Sequence, residues 1–130
     1  MPYHFEYDSQ HKILMAKFEG QVTDGLVRDF YREFGSRMAA TDLRGHFVDL
    51  SDTTSFDVSA DTVRAIAALA PVDPIPSRPG VVVAPAADVF GFARMYQILG
   101  EATRPNLHVV RTLREAYALL AIASPQFKPL

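Results

Sequence analysis

Val81-Val82-Val83-Ala84 is apolar at every position, so no half-exposed surface strand accounts for it. A strand with apolar side chains on both faces needs cover on both, the situation of a parallel strand between helical layers. This run reads as the centre of such a sheet. Helical patterns flank it. Val63, Ile66, Ala67 and Ala70 share a face between Ser59 and Pro71. After the run, Val89, Phe92, Ala93, Tyr96 and Leu99 line up from an Asp88 cap to a Gly100 stop. Pro71 to Pro79 is then a loop.

The remaining elements follow from the same two periods. Tyr3, Phe5 and Tyr7 alternate with His4, Glu6 and Asp8, and Ser9-Gln10 turns this strand into Ile13-Leu14-Met15-Ala16-Lys17-Phe18, a hairpin closed by Gly20. Thr23 and Asp24 offer an N-cap to a helix over about 24 to 39, carrying Leu26, Val27, Phe30, Tyr31, Phe34 and Met38. A strand occupies about 45 to 50. Arg104-Pro105-Asn106 turns into a last strand, Leu107 to Val110. Thr112 then caps a helix with Leu113, Ala116, Tyr117 and Leu120, which Ser124-Pro125 ends. The order is β-β-α-β-α-β-α-β-α. Strands joined through helices lie parallel by right-handed crossovers, and the hairpin puts the first strand antiparallel at an edge. The predicted fold is a single α/β domain, residues 1–123, with a mostly parallel five-stranded sheet. Residues 124–130 form a C-terminal tail too short for another element.

At 130 residues one core suffices without staples. A net charge of -2 without a Lys/Arg cluster gives no field for phosphate backbones, which argues against nucleic acid. Zero Cys excludes disulfides, thiolate nucleophiles and Cys-bound zinc, and fits a reducing cytoplasm. His4, His11, His46 and His108 form no metal-ligand spacing, and Asp49, Asp52, Asp57 and Asp61 match no Ca²⁺ loop, so neither metal nor cofactor is expected. Met1 to Asp8 lacks the basic and apolar regions of a signal peptide. The apolar runs Ile66 to Pro71 and Ala116 to Ala123 fall short of the roughly 20 residues of a membrane span. No Gly-x-Ser-x-Gly elbow and no Gly-rich phosphate loop occurs, so the chain reads as non-catalytic.

Two regions carry candidate function. From His46 to Ala60 an apolar run ends in Asp49-Leu50-Ser51, crosses a short polar loop and delivers Asp57-Val58-Ser59 to a helix start. Thr23, Ser59, Asp88 and Thr112 all fall at the sheet edge where helix N-termini present unpaired N–H groups. Asp49, Ser51, Asp57, Ser59 and Ala60 are thus a candidate anion or partner site, although four ordinary N-caps would leave the same pattern. In the third helix, Phe90, Phe92, Met95, Tyr96, Ile98 and Leu99 cover more than one side, so something beyond one core face must cover them. A homodimer interface is the simplest cover, and a small apolar ligand and a packed C-terminal tail are others. Arg94, on the same helix, is expected to reach an acidic residue across a helix interface, with an anionic headgroup as the alternative partner.

The element order, with Val48-Asp49-Leu50-Ser51 followed by Phe56-Asp57-Val58-Ser59, resembles the STAS family of anti-sigma-factor antagonist domains, and more closely its SpoIIAA-like branch, over most of the chain. In phospho-switch members a strand ending in Asp-Leu-Ser leads to Asp-Ser-Ser-Gly, whose second Ser opens the second helix. Asp57 matches the Asp and Ser59 the phosphorylated Ser. Val58 stands in place of the first Ser. Ala60 replaces the Gly and adds a Cβ where the backbone was bare. Val109 to Leu120 looks like the last strand and helix of these domains, and Phe90-Gly91-Phe92-Ala93-Arg94-Met95 and Thr103-Arg104-Pro105-Asn106 resemble further SpoIIAA-like segments. The resemblance implies a bacterial, cytoplasmic regulatory module that binds a protein partner, such as a Ser kinase or regulator, under control of a phosphoacceptor at Ser59. The alternative is a carrier or sensor of a small apolar or lipid-like ligand, by likeness of layout to SEC14-type domains.

Overall fold

Alternating Tyr3, Phe5 and Tyr7 form β1 (Tyr3–Asp8), which pairs antiparallel with β2 (Ile13–Thr23) from Tyr3↔Phe18 to Asp8↔Ile13. The structure is a computed structural model and describes residues 2–130. The Thr23 hydroxyl accepts the Leu26 N–H and opens α1 (Asp24–Ala40), whose buried Phe30, Phe34 and Met38 keep the predicted helical spacing. Next come β3 (Gly45–Asp57), α2 (Ala60–Ala68), β4 (Gly80–Val83), α3 (Ala87–Leu99), β5 (Leu107–Val110), α4 (Leu113–Leu120) and β6 (Lys128–Pro129). Ser59 and Thr112 cap α2 and α4 by accepting the N–H of Thr62 and of Glu115. Asp88 does not cap α3. The N-cap is Ala86, which has no side-chain acceptor, and Asp88 sits in the first turn with its carboxylate on the Val89 N–H. There it still complements the helix dipole.

The strand order is β5-β4-β3-β2-β1-β6, with β2 to β5 mutually parallel. The sheet therefore has six strands rather than five, and β1 is not its edge. Residues 124–130 supply the extra strand: Glu6 and Tyr7 pair antiparallel with Pro129 and Lys128, and the Leu130 N–H donates to the Phe5 carbonyl. Hydrophobic pattern is silent here because what recruits the tail is remote. The Gln126 N–H donates to buried Asp8, and the Phe127 ring packs 5.5 Å from Phe47. Burial raises the Asp8 carboxyl, but N–H donation from Gln126 and His11 and the His11 ring outweigh it and leave the group below its ordinary range.

Residues 51–57 are strand, not loop. β2 runs on past Phe18 to Thr23, so the outer half of β3 has backbone partners up to Thr23↔Asp57. The register passes from Lys17↔Asp49 to Glu19↔Asp52 and from Gly20↔Thr53 to Gln21↔Ser55, so β3 carries two more residues than β2 over this stretch. Gly20, at φ +79°, supplies the left-handed backbone on the shorter strand.

Two unequal layers cover the sheet. Over one face α1, α2 and α3 enclose Phe5, Phe18, Phe30 and Phe34, whose rings approach to 4.5 Å between Phe18 and Phe30. Over the other, α4 and the tail enclose Phe47, Val81, Val83, Val110 and Leu120. Val81 and Val83 face α4 while Val82 packs against the three-helix side, so β4 is covered on both faces as its composition demands. It lies one strand in from the β5 edge rather than at the centre, which β3 and β2 occupy.

Candidate functional site

The site is built around the two ends of α2. At its N-terminus Ser59 is exposed, in extended backbone, with its hydroxyl oxygen 3.2 Å from both the Thr62 N–H and the Thr62 hydroxyl. Its own N–H donates to the Asp24 carboxylate at 2.8 Å, which ties the start of α2 to the start of α1. That donation holds Asp24 below the ordinary carboxylate range, against a weaker desolvation effect. Arg28, one turn further along α1, donates to the buried Thr62 hydroxyl at 3.1 Å. Asp57 ends β3 in the open, and exposed Asp61 pairs with Arg64 at 2.9 Å on the first turns of α2. Val58 between them is buried and Ala60 half-buried, so Val58 anchors the segment while Ser59 faces solvent.

The structure brings Asp57, Ser59 and Ala60 together and leaves Asp49 and Ser51 apart from them. Asp49 is buried on the α4 side, in line with Phe47, and its carboxylate accepts both the Ser51 N–H at 2.9 Å and the Ser51 hydroxyl at 2.5 Å. Because residues 51–57 are strand, its paired position on β2, Lys17, lies six residues from Thr23, a run of about 20 Å at ordinary strand rise. Local spacing had no means to find Asp24 and Arg28. Asp24 is 35 positions from Ser59, and Arg28 is 34 from Thr62.

The C-terminus of α2 is held from inside. Arg104, 7% exposed, donates to the Ala67 carbonyl at 2.9 Å, the Leu69 carbonyl at 3.0 Å, the Ile66 carbonyl at 3.3 Å and the Tyr31 hydroxyl at 2.7 Å. Helix ends leave carbonyls without partners, and one planar guanidinium here serves three of them. Its plane also lies over Tyr96, 4.9 Å from the ring centroid. A Cβ at Gly100 would meet the Arg104 Nη1 at 2.5 Å, so the close approach requires glycine at the end of α3. His46 has the same arrangement with Gly80, whose Cβ would lie 2.5 Å from the imidazole Cε1. Burial lowers the His46 imidazole to about 4. Asp73, 4.0 Å away, opposes that and Arg78 adds to it.

The aromatic residues of α3 are covered within the chain. Phe92 packs 5.4 Å from Phe56, Arg111 lies 4.2 Å over Phe90, and Met95 and Tyr96 pack against the three-helix core. The long β2–β3 extension supplies the second wall that no sequence pattern announced, whereas Ile98 and Leu99 at the end of α3 are not covered and stay 56% and 50% exposed. Arg94 donates to Gln97 on its own helix and not to an acid across an interface, because it points to solvent.

The arrangement has the outline of known folds. The chain is similar to a structure of the anti-sigma factor antagonist SpoIIAA in its unphosphorylated form, with a TM-score of 0.58 at 10% identity over 92% of this chain and 99% of that one. The fold is SpoIIAA-like. The Bacillus cell fate determinant SpoIIAA in its phosphorylated form is also similar, with a TM-score of 0.52 at 11% identity over 88% of this chain and 96% of that one. No protein-family model matches the sequence, and no curated protein matches it significantly. Among the described residues no helix of this SpoIIAA-like domain is long and apolar enough to cross a membrane.

Proposed function

We propose that this chain is a non-catalytic regulatory protein-interaction module whose partner surface is the N-terminal end of α2 with the adjoining β3 end, and that a phosphate on Ser59 switches it. The observation that carries this reading is the exposed Ser59 hydroxyl at the α2 N-cap, on a fold similar to that of SpoIIAA structures without and with phosphorylation. A phosphate adds a charge of about -1.5 to -2 at pH 7. At Ser59 it would meet Asp24, Asp57 and Asp61, while the α2 N-terminus and Arg28 provide local compensation. The fold survives that addition and the outer surface becomes more negative, so an acidic or apolar partner is released. The partner on this reading is a protein of a bacterial cytoplasm, a Ser kinase or the regulator it controls.

Intact-mass and peptide mass spectrometry of the chain from its native cells is expected to place phosphate on Ser59. Affinity for the co-purifying partner is expected to persist in Ser59→Ala and to fall in Ser59→Asp by about tenfold or more, a loss of about 1.4 kcal/mol. A partner that binds both variants equally removes the switch, and phosphate confined to other residues removes Ser59 as the acceptor.

A further inference from the structure

The layer between the sheet and α1, α2 and α3 is not filled. Val22, Leu50, Val63, Phe92, Ala93 and Tyr96 are among the residues lining an apolar cavity of about 130 Å³. An apolar cavity of about 150 Å³ accepts benzene, so this one has room for about one small ring. His46, Val72, Tyr96 and Leu107 also line a second chamber of about 30 Å³, whose other walls include Asp73, Arg78, Arg104 and Asn106. One end of the apolar space is therefore polar.

The polar end is unsatisfied. Among the described residues two buried side-chain atoms lack a hydrogen-bond partner, His46 Nδ1 and Arg104 Nε, and both residues line the small chamber. The charges there are unequal. Arg78 is matched by Asp73 at 2.5 Å, whereas Arg104 makes all its hydrogen bonds to carbonyl and hydroxyl oxygens and pairs with no carboxylate among the described residues. Buried charges ordinarily have a counter-charge, and buried donors an acceptor. A flat anion with two oxygens offers an acceptor to each, beside the Asp73 carboxylate that lies 4.0 Å from His46 Nδ1.

We propose that this chain binds a small apolar carboxylic acid, its body of about one six-membered ring in the apolar cavity and its carboxylate at Arg104 Nε and His46. Gly80 and Gly100 have given up side-chain volume to admit those two polar groups, and α2 lines the cavity through Val63 and Ile66. The site does not depend on Ser59 or on the partner switch.

Benzoate titrated into the purified full chain, followed by amide NMR, is the test, with benzene and acetate as the two halves of the probe. The expected result is saturable benzoate binding that shifts Phe92, Arg104 and Leu107, about tenfold or more tighter than either half alone. Ala93→Leu, which fills the cavity without touching the polar end, is expected to stay folded and to lose benzoate. Benzene binding as tightly as benzoate overturns the carboxylate site and leaves an apolar void with water at its polar end. No saturable shift, or unchanged binding by folded Ala93→Leu, overturns the whole proposal. Should Ala93→Leu fail to fold, nuclear Overhauser contacts between benzoate ring protons and the Val63 methyls of the wild type decide, and their absence overturns it.

Discussion

The two ends of α2 are secured in opposite ways. At the N-terminus the hydroxyl of exposed Ser59 and the carboxylate of half-buried Asp24 cap the helix from its solvent side, accepting the N–H groups of Thr62 and Ser59. At the C-terminus a buried guanidinium reaches from inside to three carbonyls, of which the one on Ala67 is buried with it. Loss of a solvated cap costs little because solvent replaces it, whereas loss of a buried donor leaves desolvated acceptors without any partner. The open end is therefore the one that tolerates modification, and the clamped end keeps the helix in place while it happens.

The sharpest attack on that contrast is Arg104→Ala. It strands the Ala67 and Leu69 carbonyls, removes a second partner from the Ile66 carbonyl and the Tyr31 hydroxyl, and is expected to cost about 3 kcal/mol in urea unfolding, with only partial rescue by Arg104→Lys, whose point charge cannot serve them all. A cost no greater than that of a surface change would show that water reaches this end too.

His46 tests the dryness of the same region by pH. Its folded value of about 4 lies below the ordinary 6.5, so the unfolded chain binds the extra proton between these values. Its contribution is thus fully present above pH 6.5 and is lost as pH falls toward 4, by about 3 kcal/mol in all. Urea melts across that window should slope for the wild type and flatten for His46→Phe. Equal slopes would mean that His46 is solvated.

At the open end the effects are smaller. Ser59→Ala is expected to lower stability by about 1 kcal/mol, and Ser59→Asp to recover part of it, because Asp also caps but adds charge beside Asp24, Asp57 and Asp61. Equal losses in thermal melts would take Ser59 out of the cap. Smallest of all should be Asp24→Asn, which keeps an acceptor for the Ser59 N–H and removes the charge. The depressed Asp24 carboxyl contributes stability above its ordinary 3.8 that disappears as pH falls through its lower folded value. Asp24→Asn should therefore lower stability slightly at pH 7 and match the wild type in acid, where the carboxyl is protonated anyway.

Apolar period and cap chemistry by themselves determined the four helices, the hairpin, the parallel core strands and the caps at Thr23, Ser59 and Thr112, because each depends on residues within one or two turns of one another. Tertiary structure alone decided the rest. β6 exists because Asp8 and Phe47 receive a tail more than 75 residues later in the chain. Residues 51–57 are strand because β2 happens to be long enough to pair with them. Asp24 and Arg28 reach the Ser59 cap, and Arg104 reaches the far end of α2, only after the layers close. A polar side chain's role depends on which partner desolvation leaves within about 3 Å, and that distance is set by packing between elements rather than by spacing along any one of them.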